Sequence, residues 1–205
     1  MDEARVVLRP ATAEDFWLFE RQAVEPDAGG TFNWSGFRDV RATRRRFGEN
    51  GLITPDGGCL IVVHDSTVVG TVGWGRVSYG ADTWWCWNIG ISLLPEYRGK
   101  GVGTVAQKHL VAYLFDTGPV QRVEAYTDVD NMAEQRALEK AGFVREGCCA
   151  RPSSAPAAGA TSSSTASSAP SRRQVRYGRS RTNASKIGES GKGCIVPTMR
   201  QPHRR

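Results

Sequence analysis

An apolar, β-branched stretch, Ile89 to Leu94, ends at Pro95 and passes through a glycine-rich turn into an amphipathic helix. That succession, strand to glycine turn to helix, points to an α/β architecture in which the helix start sits at the end of a strand. The turn carries Arg98, Gly99, Lys100, Gly101, Val102, Gly103 and Thr104. Glycines permit close backbone approach, and a helix N-terminus offers unpaired N–H groups and the positive end of its dipole. With two cations beside them and the Thr104 hydroxyl at the helix start, these groups suit a pyrophosphate. The spacing is neither that of a Walker loop, G-x-x-x-x-G-K-[ST], nor that of the dinucleotide turn, G-x-G-x-x-G. A plain turn with no ligand is the competing reading of this stretch taken alone.

A second stretch stands downstream. Arg122 to Asp128 reads as a buried strand, Asp130-Asn131 as a helix start, and Met132 to Ala141 as the helix. Gly142 then takes the C′ position, where a left-handed residue is needed. In this order the two stretches resemble the GCN5-related N-acetyltransferases. That family has an Arg/Gln-x-x-Gly-x-Gly/Ala loop, an Asn at the following helix start, and a Glu-Lys-x-Gly-Phe ending. Here the ending is Glu139-Lys140-Ala141-Gly142-Phe143. The resemblance covers about residues 5–147 and is nearest in flavour to the ribosomal-protein N-terminal acetyltransferases.

The resemblance implies a mixed, mostly antiparallel sheet flanked by helices, the acyl-CoA N-acyltransferase fold. It implies acetyl-CoA as co-substrate, with no metal, and transfer to a primary amine of a small molecule or peptide N-terminus by direct attack. Residues 98–104 would hold the pyrophosphate, and the backbone of Ile91 and Leu93 the pantetheine arm, one N–H also serving a developing oxyanion. Asn131 would contact the arm, or simply cap its helix. Where many relatives carry a basic Glu in the central strand, this chain has Trp87 and Asn88; where they carry an acidic Tyr, it has Leu138. In the ribosomal branch a Ser follows the Asn by three residues, and here that residue is Glu134. Glu134 is the catalytic candidate, able to orient a water, take the amine proton or, once protonated, serve the leaving sulfur. Its alternative is a first-turn carboxylate that complements the helix dipole.

Periodicity supplies the remaining elements. Arg5 to Arg9 alternates as a strand, Thr12 caps a helix over Ala13 to Val24, and Ser35 caps a second over Gly36 to Phe47, stopped by Gly48. Cys59 to His64 and Val68 to Val77 are strands about the turn Asp65-Ser66-Thr67, and Trp84 to Leu94 is the central strand. In the helix Thr104 to Phe115, Val105, Leu110, Val111 and Leu114 form one face, with Gln107, Lys108 and Asp116 polar. His64 reads as structural, and neither His109 nor His203 pairs with a nucleophile. Phe32, Trp34, Phe37, Trp84, Trp85 and Trp87 would either wall an acceptor cleft or serve as plain core.

Charge divides the chain near residue 147. Residues 1–147 hold 16 Lys+Arg and 20 Asp+Glu, a net of −4, whereas residues 148–205 hold 11 Lys+Arg and one Glu, a net of +10. All six Trp and all seven Phe precede residue 147. The tail is thus expected to be a low-complexity, disordered extension. Read one base earlier, TCN serine codons become apolar NTC codons, so residues 148–205 also suit a frameshift that cost the enzyme its closing strand. The exposed sheet edge left behind would invite a homodimer. A third reading is a nucleic-acid-binding tail built on Arg172, Arg173, Arg176, Arg179 and Arg181 around Tyr177. With no apolar run approaching the roughly 20 residues of a membrane span, no signal peptide and five cysteines without metal-ligand spacing, the expectation is a cytoplasmic protein.

Overall fold

A computed structural model describes residues 5–34, 36–79, 85–149 and 194–201. The expectations for Ser35, Trp84, the arginine cluster around Tyr177 and His203 lie outside these residues. The elements in chain order are β1 (Val6–Pro10), a 3₁₀ turn (Ala13–Asp15), α1 (Phe16–Val24), α2 (Pro26–Gly29) and α3 (Val40–Asn50). There follow β2 (Ile53–Thr54), β3 (Gly57–His64), β4 (Thr67–Ser78), β5 (Trp85–Leu93), α4 (Val102–Thr117), β6 (Arg122–Ala125), β7 (Thr127–Asp128), α5 (Met132–Ala141), β8 (Val144–Cys149) and β9 (Cys194–Arg200).

One sheet gathers the strands in the order β1-β3-β4-β5-β6-β9-β7, with β2 on β3 and β8 on β9. Every pairing is antiparallel except β5 with β6. The expected mixed, mostly antiparallel sheet flanked by helices is therefore present. On one face α4 and α5 bury Val102, Leu110, Leu114 and Leu138 against Val62, Val72, Trp87, Ile89 and Val123. On the other, Leu18 and Ala28 meet Ile61 and Leu94. Each such aliphatic side chain stabilises the fold by roughly 1.5–3 kcal/mol relative to exposure. Among the described residues no helix is long and apolar enough to cross a membrane.

The helix ends follow their chemistry. The first helix opens as a 3₁₀ turn, where Asp15 closes a capping box with Thr12 and accepts from Arg9 Nη1 and Nη2 at 2.7 Å each. The second helix is displaced from its expected bounds. Gly36 has φ +91°, which a right-handed helix excludes, so α3 starts after Asp39, whose Oδ1 accepts from the Arg41 N–H. Gly48 lies within α3, and the stop is Gly51, left-handed at φ +62°. The hairpin Asp65-Ser66 has both residues at positive φ, as a tight turn between twisted strands requires.

The expectation of a missing closing strand is corrected. Residues Cys194–Arg200, within the stretch read as a disordered tail, form β9 and run antiparallel to β6, β7 and β8. Its alternation places Thr198 in the interior, 2% exposed. Pro197 cannot donate to a ladder, and the register of β8 against β9 shifts between Arg145 and Gly147, opposite that proline. The edge on which a strand-deficient homodimer was expected is occupied by β9.

Candidate active site

The site begins as a fork between the two parallel strands. β5 and β6 pair through Trp87↔Val123, Asn88↔Glu124 and Ile89↔Ala125, and then separate. β5 continues to Leu93 along β4, whereas the other strand breaks at Tyr126 and resumes as β7 on β9. The single strand expected over Arg122 to Asp128 is thus two, and the break makes the opening. Leu94 donates its N–H to the Val69 carbonyl of β4. By alternation, Ile91 and Leu93 turn their backbone groups away from β4 and into the fork. Their carbonyls are taken there: Asn33 Nδ2 donates to Ile91 O at 3.2 Å and Arg98 Nε to Leu93 O at 2.8 Å. What Ile91 and Leu93 offer the fork is two N–H donors.

At its mouth stands the glycine turn. Gly99 and Gly101 have φ of +69° and +79°, and a Cβ at Gly99 would meet no atom within 4 Å. Gly101 is the N-cap of α4, so the N–H groups of Val102, Gly103 and Thr104 have no intrahelical partner. A Cβ at Gly103 would make ordinary contacts with Leu93 and Ile91, so α4 lies close against β5. Lys100 is exposed, its Nζ 5.6 Å from the Tyr97 ring centroid. Arg98, expected at the pyrophosphate from its motif position, is engaged with backbone carbonyls. Its backbone N–H donates to Pro95 O, and its guanidinium reaches Leu93 O, Asp27 O at 2.6 Å and Ala28 O. Burial pushes its pKa down. Arg98 thus ties α2 to the end of β5.

Along the α4 side of the fork lies a second polar group. Asn131 Oδ1 accepts from the Glu134 N–H at 3.2 Å, so Asn131 does cap α5. The Glu134 carboxylate accepts from Gln107 Nε2. Burial raises the Glu134 pKa to about 6, the Gln107 bond opposing. Gln107, expected on the polar face of α4, is instead 1% exposed and its Oε1 has no partner. α4 runs back along β5, so Gln107 lies five residues, roughly 7.5 Å, past Val102 toward the apex of the fork. Thr127 Oγ1, buried on β7, is likewise unpartnered.

The opposite face at the apex carries residues that no short motif announced. Glu124, fully buried, accepts from the hydroxyls of Tyr79 at 2.6 Å and Tyr126 at 2.9 Å, and those two hydroxyl oxygens are 2.8 Å apart. Only the apolar-charged alternation Arg122-Val123-Glu124 hinted at an inward carboxylate. The aromatics divide by face: Trp87 is buried in the α4 core with Trp85 packed against it, while Phe32 and Phe37 are exposed. A cavity of about 380 Å³ at Phe115, Asp116 and Met199 lies at the far end of α4, roughly 20 Å from the glycine turn. Among the described residues no group of three His, Cys, Asp or Glu could hold a metal.

An acyl-CoA fits this arrangement. The helix N–H groups at the mouth suit an anion, the two strand N–H groups suit an amide-bearing arm, and Gln107 Oε1 and Thr127 Oγ1 are buried without partners. Residues 5–144 match the family described as the acetyltransferase (GNAT) domain. The chain is 35% identical over 89 residues to the probable N-acetyltransferase YjcK of Bacillus subtilis (strain 168), covering 43% of this chain and 48% of that protein. The match thus spans about half the length of the curated relative. In fold the chain is similar to the spermidine N-acetyltransferase of Vibrio cholerae, solved with CoA and spermine. The TM-score is 0.67 at 13% identity, over 97% of this chain and 96% of that one. A similar likeness, TM-score 0.65 at 13% identity over the same shares, holds with the Salmonella typhimurium acetyltransferase that modifies the N-terminal serine of ribosomal protein L7/L12. This chain belongs to the GNAT acetyltransferase family.

Proposed function

We propose that this protein transfers an acetyl group from acetyl-CoA to a primary amine, of a small molecule or of a peptide N-terminus. The observation that carries the reading is the fork. Its apex, where strand pairing ends at Ile89 and Ala125, lies roughly 13 Å from the glycine turn side of β5 at Leu93. A phosphate held at residues 99–104 therefore leaves an extended arm the length of Leu93 and Ile91 before its tip reaches the apex. Acetyl-CoA supplies the thioester; the chain supplies position and charge. The N–H groups of Ile91 and Leu93 orient the arm, and one of them stabilises negative charge developing on the acyl oxygen. A donor of that kind contributes about 3–4 kcal/mol in other acyl-transfer sites. Gln107 holds Glu134 on the α4 side, where its protonated form gives a proton to the departing sulfur. The neighbouring enzymes named above act on spermidine and on an N-terminal serine, both primary amines, which supports this acceptor class.

The test is a melting-temperature titration with acetyl-CoA, followed by a screen of primary amines. Binding to the native state raises stability by about 2.7 kcal/mol at a hundredfold excess over Kd. A cooperative melt that acetyl-CoA leaves unmoved would refute the cofactor assignment.

A further inference from the structure

Glu124, Tyr79 and Tyr126 form a closed triangle of oxygens that lacks one hydrogen. Three short contacts join them: Tyr79 to Glu124 at 2.6 Å, Tyr126 to Glu124 at 2.9 Å, and Tyr79 to Tyr126 at 2.8 Å. Two phenol groups bring two hydrogens. When both are donated to the carboxylate, the two phenol oxygens face one another at hydrogen-bond distance with lone pairs alone. The surroundings do not fill the gap. Arg122 Nη2 is 3.6 Å from Glu124 Oε2 and 3.2 Å from Glu146 Oε2, so its charge is shared between two carboxylates. Cys86, the other titratable group facing Glu124, is held as a thiol because burial pushes its pKa to about 12. Burial likewise pushes both tyrosines up, so neither is a tyrosinate at neutral pH. With three contacts and two phenol hydrogens, the cluster has room for a further hydrogen-bond donor, and a cationic one suits a carboxylate partner.

Its place in the fold says which donor. Glu124 and Tyr126 flank Ala125, the last β6 residue paired with β5, so the triangle hangs at the apex of the fork. Val123 and Ala125 point into the α4 core, so Glu124 and Tyr126 occupy the opposite face, across the sheet from Glu134 and Gln107. Asn88, paired with Glu124 in the register, has a buried Nδ2 without a partner. Tyr79 is 47% exposed and connects the buried carboxylate to the surface.

We infer that this triangle is the acceptor subsite, binding the protonated primary amine through the Tyr79 and Tyr126 oxygens and taking its first proton. The inference rests on the acetyltransferase reading and deepens it. An ammonium N–H completes the triangle by donating to the two phenol oxygens. Proton removal is a two-bond relay: the ammonium N–H passes to Tyr79 O while the Tyr79 hydrogen passes to Glu124, leaving a neutral amine and a neutral carboxylic acid. Tyr79 ends as it began, a phenol, and Glu124 later returns the proton to solvent by the same path. The class selected is a primary amine that is cationic at neutral pH and has no carboxylate beside it, since a second anion would sit against Glu124.

The experiment uses the full chain with n-butylamine, glycinamide and glycine as probes, and reads kcat/KM across pH together with the acetyl-CoA melt shift. The expected result is turnover of n-butylamine and glycinamide at least tenfold above glycine. Y79F should lower amine kcat/KM at least tenfold and E124Q at least a hundredfold, each moving the rising limb of the profile to higher pH while the acetyl-CoA melt shift stays at the wild-type value. Y79F keeps the question open to test if E124Q does not fold, because Tyr79 is half exposed. Both variants within twofold of wild type, with unmoved profiles, would overturn the inference. So would turnover of none of the amines by a wild-type chain that acetyl-CoA still stabilises. Loss of the wild-type melt shift is the separate failure of the underlying reading.

Discussion

Replacing Glu134 by glutamine removes a buried charge while keeping the oxygen that accepts from Gln107. The structure supplies the magnitude. Burial lifts the Glu134 carboxyl from an ordinary 4.5 to about 6, a difference worth about 2 kcal/mol between the two protonation states. A raised carboxyl pKa gives stability that is complete below the unfolded value and lost as pH rises through the folded one. Wild type should therefore lose about 2 kcal/mol between pH 4.5 and pH 7, from this group alone. E134Q should melt about 4–8 °C above wild type at pH 7.5 and level with it near pH 4.5. Differential scanning calorimetry at the two pH values reads this directly. In turnover the variant should lose at least tenfold in kcat, together with the falling alkaline limb that a protonated Glu134 imposes on wild type. Equal melting temperatures at pH 7.5 would refute the buried-charge argument. A stabilised variant with unchanged kcat would leave Glu134 as a strained helix residue with no part in the chemistry.

R98Q should cost about 2–3 kcal/mol, because one guanidinium holds Leu93 O, Asp27 O and Ala28 O and charged hydrogen bonds are worth about 1.5–3 kcal/mol each before solvent screening. Acetyl-CoA binding by R98Q should weaken less than binding by G101A. In G101A a left-handed N-cap costs roughly 1–2 kcal/mol and shifts the N–H groups of the turn, so the acetyl-CoA melt shift should fall at least by half. D15N should be destabilised at pH 7 and match wild type near pH 1.5. Arg9 holds the Asp15 carboxyl at about 2 against an ordinary 3.8, and the roughly 2 kcal/mol this confers is present above pH 4 and lost as pH falls through 2, which acid titration by circular dichroism will show. Ending the chain at residue 193 removes β9 from between β6 and β8 and should abolish the cooperative melt.

What was legible in the sequence was local. The glycine turn, the Asn131 cap, the helix Met132–Ala141 and the left-handed Gly142 each depend on residues within a few positions of one another, and the structure keeps all of them. The bounds of α3 were less legible: Gly48 and Gly51 are equally good stops on composition, and only the backbone at Gly51 turns left-handed. Gln107 reads as polar and therefore outward, yet it is buried because Glu134, on another helix, gives its amide a partner. The Glu124 triangle joins the end of β4 to β6 and the break after it. No spacing rule connects Tyr79 to Glu124, since their contact is made by the sheet.

The closing strand is the extreme case of that principle. β8 and β9 are neighbours in the sheet, but residues 150–193 separate them in the chain. Composition pointed to a tail from residue 148 onward, because serine, alanine and arginine dominate most of it. A strand needs few residues, however, and Cys194–Arg200 supplies the alternation and the apolar positions for one. Loop-closure entropy rises only slowly with length, by about 0.6 kcal/mol for each doubling, so even a long insertion leaves the slot within reach. The slot itself is demanding. β6 and β7 expose one edge and β8 another, and the strand between them must satisfy all three. The break at Tyr126 that opens the fork is thereby bridged behind by β9, which pairs with β6 before the break and β7 after it. The strand furthest from the glycine turn in sequence is the one that holds the far wall of the fork in register, and the acetyl-transfer geometry proposed above depends on it.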